Sequence, residues 1–476
     1  MKHQPPSAIK TTEAFSVHLQ NLGAGFPFEL LKEPDSSPLA EPFILTNGFV
    51  IGNRFCIHPM EGWDGTADGH PTPHTTRRWQ NFGRSGAKLI WGGEAVAVSH
   101  EGRANPNQLL INRETGSHLQ KLLQGLIDSH KQNHGAVDDL LVGLQLTHSG
   151  RFSKPNRSEK FEPKILFRHP YLEEKFHTQQ SAHILSDKEI EVIIQQFIDA
   201  AILAEQIGFQ FVDIKHCHGY LGHEFLSART RPGRFGGSFE NRTRFLREIV
   251  AGIRHYAPSL SIGVRLSAFD LIAFSPHPDD KVGYPVPTDD YPQPFGAAEH
   301  DFLQIDLTET RQFLQLCEEL GIQLINLTAG SPYYNPHIQR PAMFPPSDGY
   351  KPPEDPILGV LRQIGVTASL KAEFPNLAIV GTGYSYLQEW LPTVAISAVA
   401  ANAVDFVGLG RMVLSYPDYP SVILKQQIPD KKKLCRTFSD CTTAPRCGLI
   451  SGCYPLDHYY KDSAEYEALQ MYKHAN

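Results

Sequence analysis

Lys215, His218 and Tyr220 lie close together in the stretch IKHCHGY. A cation, an imidazole and a phenol gathered in one place can hold a developing oxyanion and deliver a proton. Residues 210–214, QFVDI, precede them and read as a short, largely apolar strand of the buried parallel type. Gly219 eases the turn that follows. In a parallel α/β barrel the carboxyl ends of the strands carry catalytic groups, whereas the opposite ends serve stability. A hydrogen-bonded strand end with a histidine capping the turn is the competing reading of the same residues.

Two glycine turns carry a different chemistry. Gly381, Thr382 and Gly383 follow one apolar strand, and Gly408, Leu409, Gly410 and Arg411 close another, each before a helix. Glycines let a phosphate approach backbone N–H groups at a helix start, and a neighbouring arginine can chelate its oxygens. Tight packing is the alternative role for either turn. Gln145 and Arg265 lie on two further strands, where uncompensated polar groups would cost free energy. An amide and a guanidinium could satisfy the edge of a heteroaromatic ring, or simply pair within the protein.

Positioning these residues requires eight strands, expected at 54–58, 87–91, 140–146, 210–214, 261–266, 322–327, 377–380 and 404–409. Helices are expected at 75–85, 118–130, 190–204, 241–255, 307–320, 356–374 and 384–401, with another from Arg411 onward. Ser186 followed by Glu189 is a capping-box signature ahead of one apolar face made of Ile190, Ile193, Ile194, Phe197, Ala201 and Ala204. Such alternation specifies a closed (β/α)8 barrel, of the α/β class. A doubly wound open sheet competes with it, but the first strand is not followed by the G-x-G-x-x-G turn of a dinucleotide fold. Long loops are expected after strands three, five and six. The stretch 270–304, dense in proline, aspartate and tyrosine and without periodicity, is the expected lid. Residues 1–42 read as an arm, 43–430 as the barrel and 431–476 as a tail bearing four cysteines.

At 476 residues the chain can bury a large core, and its 41% hydrophobic and 20% charged content is ordinary for a globular protein. The net charge of −7, with no basic block, gives no support to nucleic-acid binding. No apolar run reaches the length of a membrane helix, and residues 1–10 lack a secretory pattern. Seven cysteines, an odd number, fit a reducing compartment, so a cytoplasmic location is expected.

Several longer stretches match a known family. These are Pro59-Met60 after strand one, EAVAVSHEGR from Glu94, QLTHSGR from Gln145, and HGYLGHEFLSARTRPGRFGGSFENRTRFLREI from His218 to Ile249. GVRLSA around Arg265 and GLGR ending at Arg411 complete the set, which resembles the Old Yellow Enzyme family of flavin-dependent oxidoreductases. The resemblance implies an FMN held without covalent attachment, reduced by NADH or NADPH and returning hydride from N5 to a small-molecule substrate with an activated C=C bond. It implies His58, Pro59, Met60, Glu61 and Ala95 behind the isoalloxazine, Gln145 on the pyrimidine edge and Arg265 near N1. Gly383, Gly410 and Arg411 would hold the phosphate. By the same resemblance His218 is one of the pair gripping the substrate carbonyl, and Tyr220 is the proton donor.

The chain departs from that pattern in three places. Lys215 stands where members commonly carry histidine. An ammonium is a stronger, less directional oxyanion partner, which implies a more polar or anionic substrate. Glu61 replaces a cysteine or small residue beside the flavin, where a carboxylate would alter the redox potential, contact the substrate or stabilise the turn. Cys435, Cys441, Cys447 and Cys453 recur at equal six-residue steps, not in the C-x2-C grouping of cluster ligation, so no metal is expected. An amine or alcohol dehydrogenase running the chemistry in reverse, and a flavin-binding barrel without turnover, are the rival functions. The oligomeric state is open, a homo-oligomer included.

Overall fold

The computed structural model describes residues 3–32, 35–346 and 349–475; positions 1, 2, 33 and 34 of the expected arm, 347 and 348 of the loop after strand six, and 476 lie outside the described residues. Eight parallel strands close on themselves: β1 (Phe55–Ile57), β2 (Leu89–Ile90), β3 (Leu141–Thr147), β4 (Phe211–Ile214), β5 (Ser261–Ser267), β6 (Leu324–Thr328), β7 (Ala378–Gly381) and β8 (Phe406–Leu409). Each pairs with its sequence neighbours, and β8 pairs with β1 through Gly408 opposite Cys56. The expected (β/α)8 barrel is therefore the fold.

Alternation along the strands places the chemistry. Cys56, Leu89, Leu141, Phe211, Leu324, Ala378 and Phe406, one from each of seven strands, form an apolar layer inside the ring. A small antiparallel hairpin, Phe43–Ile44 with Val50–Ile51, plugs that layer at the amino end of the strands. Their neighbours, such as Ile57, Val212, Ile325 and Val407, face outward into the larger core shared with the helices. Because side chains repeat every second residue, the next inward positions are His58, Gly143, Asp213, Asn326, Val380 and Gly408. One step further come Gln145, Lys215 and Thr328. A dry floor thus forces the polar residues of each strand to its carboxyl end.

The outer ring consists of α1 (Pro73–Arg84), α2 (Gly116–His134), α3 (Asp187–Gln206), α4 (Phe239–Tyr256), α5 (Thr308–Glu319), α6 (Pro356–Glu373), α7 (Leu391–Ala400) and α8 (Arg411–Ser415). The capping box of α3 is present, with the Ser186 hydroxyl accepting from the Glu189 N–H and the Glu189 carboxylate accepting from the Ser186 N–H. Such a cap stabilises a helix by about 1 kcal/mol. The single helix expected at 384–401 is two elements. Residues 384–390 form a 3-10 segment, Gln388 adopts a left-handed φ of 53°, and α7 then starts with Pro392 in its first turn.

The expected lid is not featureless. It holds two short antiparallel ladders, Phe274–Pro276 with Gly283–Pro285 and Ala297–Ala298 with Asp301–Ile305. Ladders of two to five residues containing Pro276 and Pro285 leave no period to detect. The arm lies across α7, where Phe15 stacks on Trp390 at 4.5 Å and the Leu31 N–H donates to Ser397. The tail forms three short helices around a small core of Ala444, Tyr454, Tyr460 and Leu469. It is tied to α1 by Arg77, which pairs with both carboxylate oxygens of Asp457 at 2.8 and 3.1 Å.

Candidate active site

A cavity of about 690 Å³ opens at the carboxyl ends of the strands, and every site residue expected from the sequence lines it: His58, Pro59, Met60, Glu61, Ala95, Gln145, Lys215, His218, Tyr220, Arg265, Gly383, Gly410 and Arg411. The volume falls within the range of small-molecule and cofactor sites.

Its floor is built by β1 and β3. Met60 bridges to Glu94, and Ala95 lies opposite Gln145 in the short strand Ala95–Ala97. His58 sits so close against Gly408 that any side chain at 408 would collide with its ring. Burial, followed by the charge of Arg265, pushes the His58 imidazole well below its ordinary pKa, so the ring is neutral. Arg265 donates through Nη1 to the Pro59 carbonyl at 3.0 Å, and its buried Nε has no partner among the described residues.

Gln145 is less free than the sequence implied. Its Nε2 donates to Asp213 at 2.5 Å, and Asp213 also accepts from the Trp91 indole at 2.8 Å and the Arg265 N–H at 2.7 Å. Burial raises Asp213 to about 6 against the lowering by these donors, of which Gln145 is the largest. Asp213 therefore orients both the amide and Arg265. An acid inside the run FVDI was the available signal for it.

The reacting groups stand over this floor. Lys215 is 5% exposed and Tyr220 3%, and the Lys215 ammonium lies 3.7 Å from the centre of the Tyr220 ring. A desolvated contact of this type contributes about 2 kcal/mol. Burial lowers the Lys215 pKa, with Glu61 opposing that shift. Tyr220 donates to Glu61 Oε1 at 2.8 Å and meets the Tyr333 hydroxyl at 2.9 Å. Burial first, then the Glu61 charge, hold the phenol well above its ordinary pKa.

His218 has a left-handed φ of 65°, a strained geometry for a residue with a side chain. Ser267 accepts from its N–H at 3.0 Å and Ser331 donates to its carbonyl at 2.8 Å, which holds the bend. Its Nε2 lies 3.3 Å from both Thr328 Oγ1 and Gln339 Nε2. Burial and then the charges of Arg265 and Lys215 keep this ring neutral.

Across the cavity, Gly383 has φ 94° with Gln363 Oε1 2.9 Å from where a Cβ would stand, and a Cβ on Gly410 would meet only Met60, with Sδ at 3.6 Å. Arg411 donates through Nη2 to the Pro341 carbonyl at 2.9 Å, whereas its buried Nη1 has no partner among the described residues. An unsatisfied guanidinium nitrogen beside the open turn at Gly410 suits an anion. Together with the waiting Arg265 Nε, the residues present fit a phosphate-bearing flavin.

Two sets of lining residues were not foreseen. Tyr333, Gln339 and Arg340 come from the loop after β6, and Cys441, Thr442 and Arg446 come from the tail. The expected lid touches the cavity only through Ser275 and Pro276 among the described residues. The loop after β6 covers more of it. Among the described residues no group of three or more ligating side chains has metal-binding geometry, and no helix is long and apolar enough to cross a membrane.

Residues 38–277 match the model of the NADH:flavin oxidoreductase / NADH oxidase family. The chain belongs to that family. Membership bears out the Old Yellow Enzyme resemblance, and with it FMN as the cofactor. Among curated relatives, NADPH dehydrogenase of Geobacillus thermodenitrificans is 26% identical over 391 residues, covering 80% of this chain and 92% of that protein. NADH oxidase of Thermoanaerobacter brockii is 26% identical over 376 residues, and there this chain spans 48% of the relative's length. The old yellow enzyme homologue from Zymomonas mobilis superposes with a TM-score of 0.57 at 20% identity, covering 82% of this chain and 92% of that one, which supports the barrel fold.

Proposed function

We propose that the protein is an FMN-dependent ene-reductase, drawing hydride from NADH or NADPH and adding it to an activated C=C bond in a polar or anionic small molecule. FMN bound here would supply the hydride, between the nicotinamide and the substrate carbon. Arg411, Gly383 and Gly410 would hold its phosphate, Arg265 and Gln145 the ring edge, and His58 to Glu61 with Ala95 the ring's back. Lys215 and the neutral His218 grip the substrate oxygen and stabilise the negative charge that develops there. Tyr220 provides the proton for the neighbouring carbon.

The observation that carries this reading is the convergence of Lys215, His218 and Tyr220 on one cavity with the unsatisfied Arg411. The cavity's charge supports the anionic substrate. Lys154, Lys175, Lys215, Arg340 and Arg446 line the wall, with Glu61 as the one carboxylate lining it among the described residues.

The test is anaerobic mixing of the flavin-loaded protein. NADPH or NADH should bleach the flavin absorbance, and a carboxylate-bearing enone should restore it. Bleaching by an amine or alcohol, with none by either nicotinamide, would assign the reverse reaction instead.

A further inference from the structure

The hydrogen bond between Tyr220 and Glu61 poses a problem for proton delivery. A phenol has one proton, and that of Tyr220 is directed at Glu61 Oε1, 2.8 Å away. Tyr333 stands on the other side at 2.9 Å and is itself fixed by stacking on Phe152, with ring centres 3.9 Å apart and planes 2° from parallel. If Tyr220 gave up its proton with Glu61 ionised, a phenolate and a carboxylate would face each other in a nearly dry site. Like charges at that separation strongly disfavour double ionisation. Lys215, 3.7 Å over the ring, can balance one of the two charges. The Tyr220 proton is therefore available to a substrate only when Glu61 carries a second proton.

We infer that Glu61 is the proton reservoir behind Tyr220, resting on the ene-reduction reading above. Protonated Glu61 donates to Tyr220 Oη while Tyr220 donates to the substrate carbon beside the hydride acceptor. The Glu61 O–H bond breaks, the Tyr220 O–H bond re-forms, and the electron pair of the substrate enolate becomes the new C–H bond. The negative charge of the enolate ends on the Glu61 carboxylate, close to Lys215, and water from the cavity mouth restores the proton. Glu61 acts through Tyr220 and is a positioning residue in that sense. Its own place is set by the exit of β1, where Met60 bridges to Glu94 and the Pro59 carbonyl accepts from Arg265. The carboxyl group at 61 thus makes the proton step internal to the protein.

The experiment separates the two half-reactions in wild type, Glu61→Gln, Glu61→Ala, Tyr220→Phe and the Glu61→Gln/Tyr220→Phe pair. Reaction of the reduced Glu61→Gln enzyme with the enone should slow about 100-fold, as for loss of general acid catalysis, and by a larger factor than its reduction by NADPH slows. The double variant should be no slower than Tyr220→Phe alone. Acetic acid should restore Glu61→Ala with saturation, a response that a purely structural role would not produce. In the flavin-free protein, one tyrosine should ionise at lower pH in Glu61→Gln than in wild type, read as the tyrosinate difference spectrum. Full enone turnover in Glu61→Gln, or a slowed Glu61→Ala that no small carboxylic acid restores, overturns the inference. If wild type reacts with no alkene, the function proposed above falls. The tyrosine titration then decides the relay, which an unmoved midpoint would overturn.

Discussion

The two ends of the cavity solve opposite problems. Around Tyr220 the reacting groups each have a partner of this chain, phenol with carboxylate, ammonium with ring and imidazole with Thr328. Around Arg411 a buried nitrogen has none among the described residues, and Gly410 beside it leaves room. The first arrangement can trade protons among its members before a substrate arrives. The second is complete only with an anion that the chain does not contain. Groups that must change state are coupled to each other, and groups that must hold a constant charge are left waiting for it.

The difference extends to acid. The β4 side buries His216, held at about 4, and His223, at about 3, with His218 also kept neutral by burial. A depressed imidazole stays neutral in the folded chain, whereas the unfolded chain takes up a proton below about pH 6.5. Stability is therefore lost as pH falls from about 6.5 toward 4, by about 1.4 kcal/mol per pH unit for each group. Asp213, raised to about 6, and Glu224, also raised by burial, work with the opposite sign over part of that window, but they are two groups against three histidines. β7, β8 and their glycine turns contain no histidine. Hydrogen exchange should thus open residues 211–226 before residues 378–415 as pH falls from 6.5 to 4.5; simultaneous opening would erase the asymmetry.

Next in size is Arg411→Ala. Losing a charge-assisted bond of about 1.5–3 kcal/mol should weaken FMN binding roughly 10- to 150-fold by equilibrium dialysis, with the Tyr220 titration unmoved. A shift in both would mean that the two ends are not independent. The smallest effect belongs to Ser385→Ala. Its hydroxyl accepts from the Met412 N–H at 3.3 Å where α8 begins. Loss of one neutral bond, about 0.5–1.5 kcal/mol, should weaken FMN binding only a few-fold and leave enone reaction of the loaded enzyme unchanged.

The same contrast explains what could be read from the chain alone. Site residues on strands were legible because a fixed two-residue alternation ties Lys215 to Phe211 and the glycine turns at 383 and 410 to their strands. Even there, Asp213 passed as strand filler, since spacing says nothing about which neighbour an amide will find. Tyr333, Gln339 and Arg340 reach the cavity from a loop whose path depends on packing against β5 and the tail, and no local period encodes that. The ladders of the loop after β5 were hidden for a related reason: their short strands are held by contacts such as the Ala273 N–H donating to the Tyr291 hydroxyl and Tyr334 donating to Asp270, which are distant in sequence.

The placement of residues 441–452 has a bearing on how the holoprotein is made. They form part of the cavity wall, yet the ring of strands is complete at Leu409. During synthesis the barrel can close while that side still stands open, and the flavin can enter through a gap that later chain will cover. Docking of the tail, fastened to α1 through Arg77 and Asp457, can therefore follow closure of the ring, which leaves time for a flavin to be loaded before it.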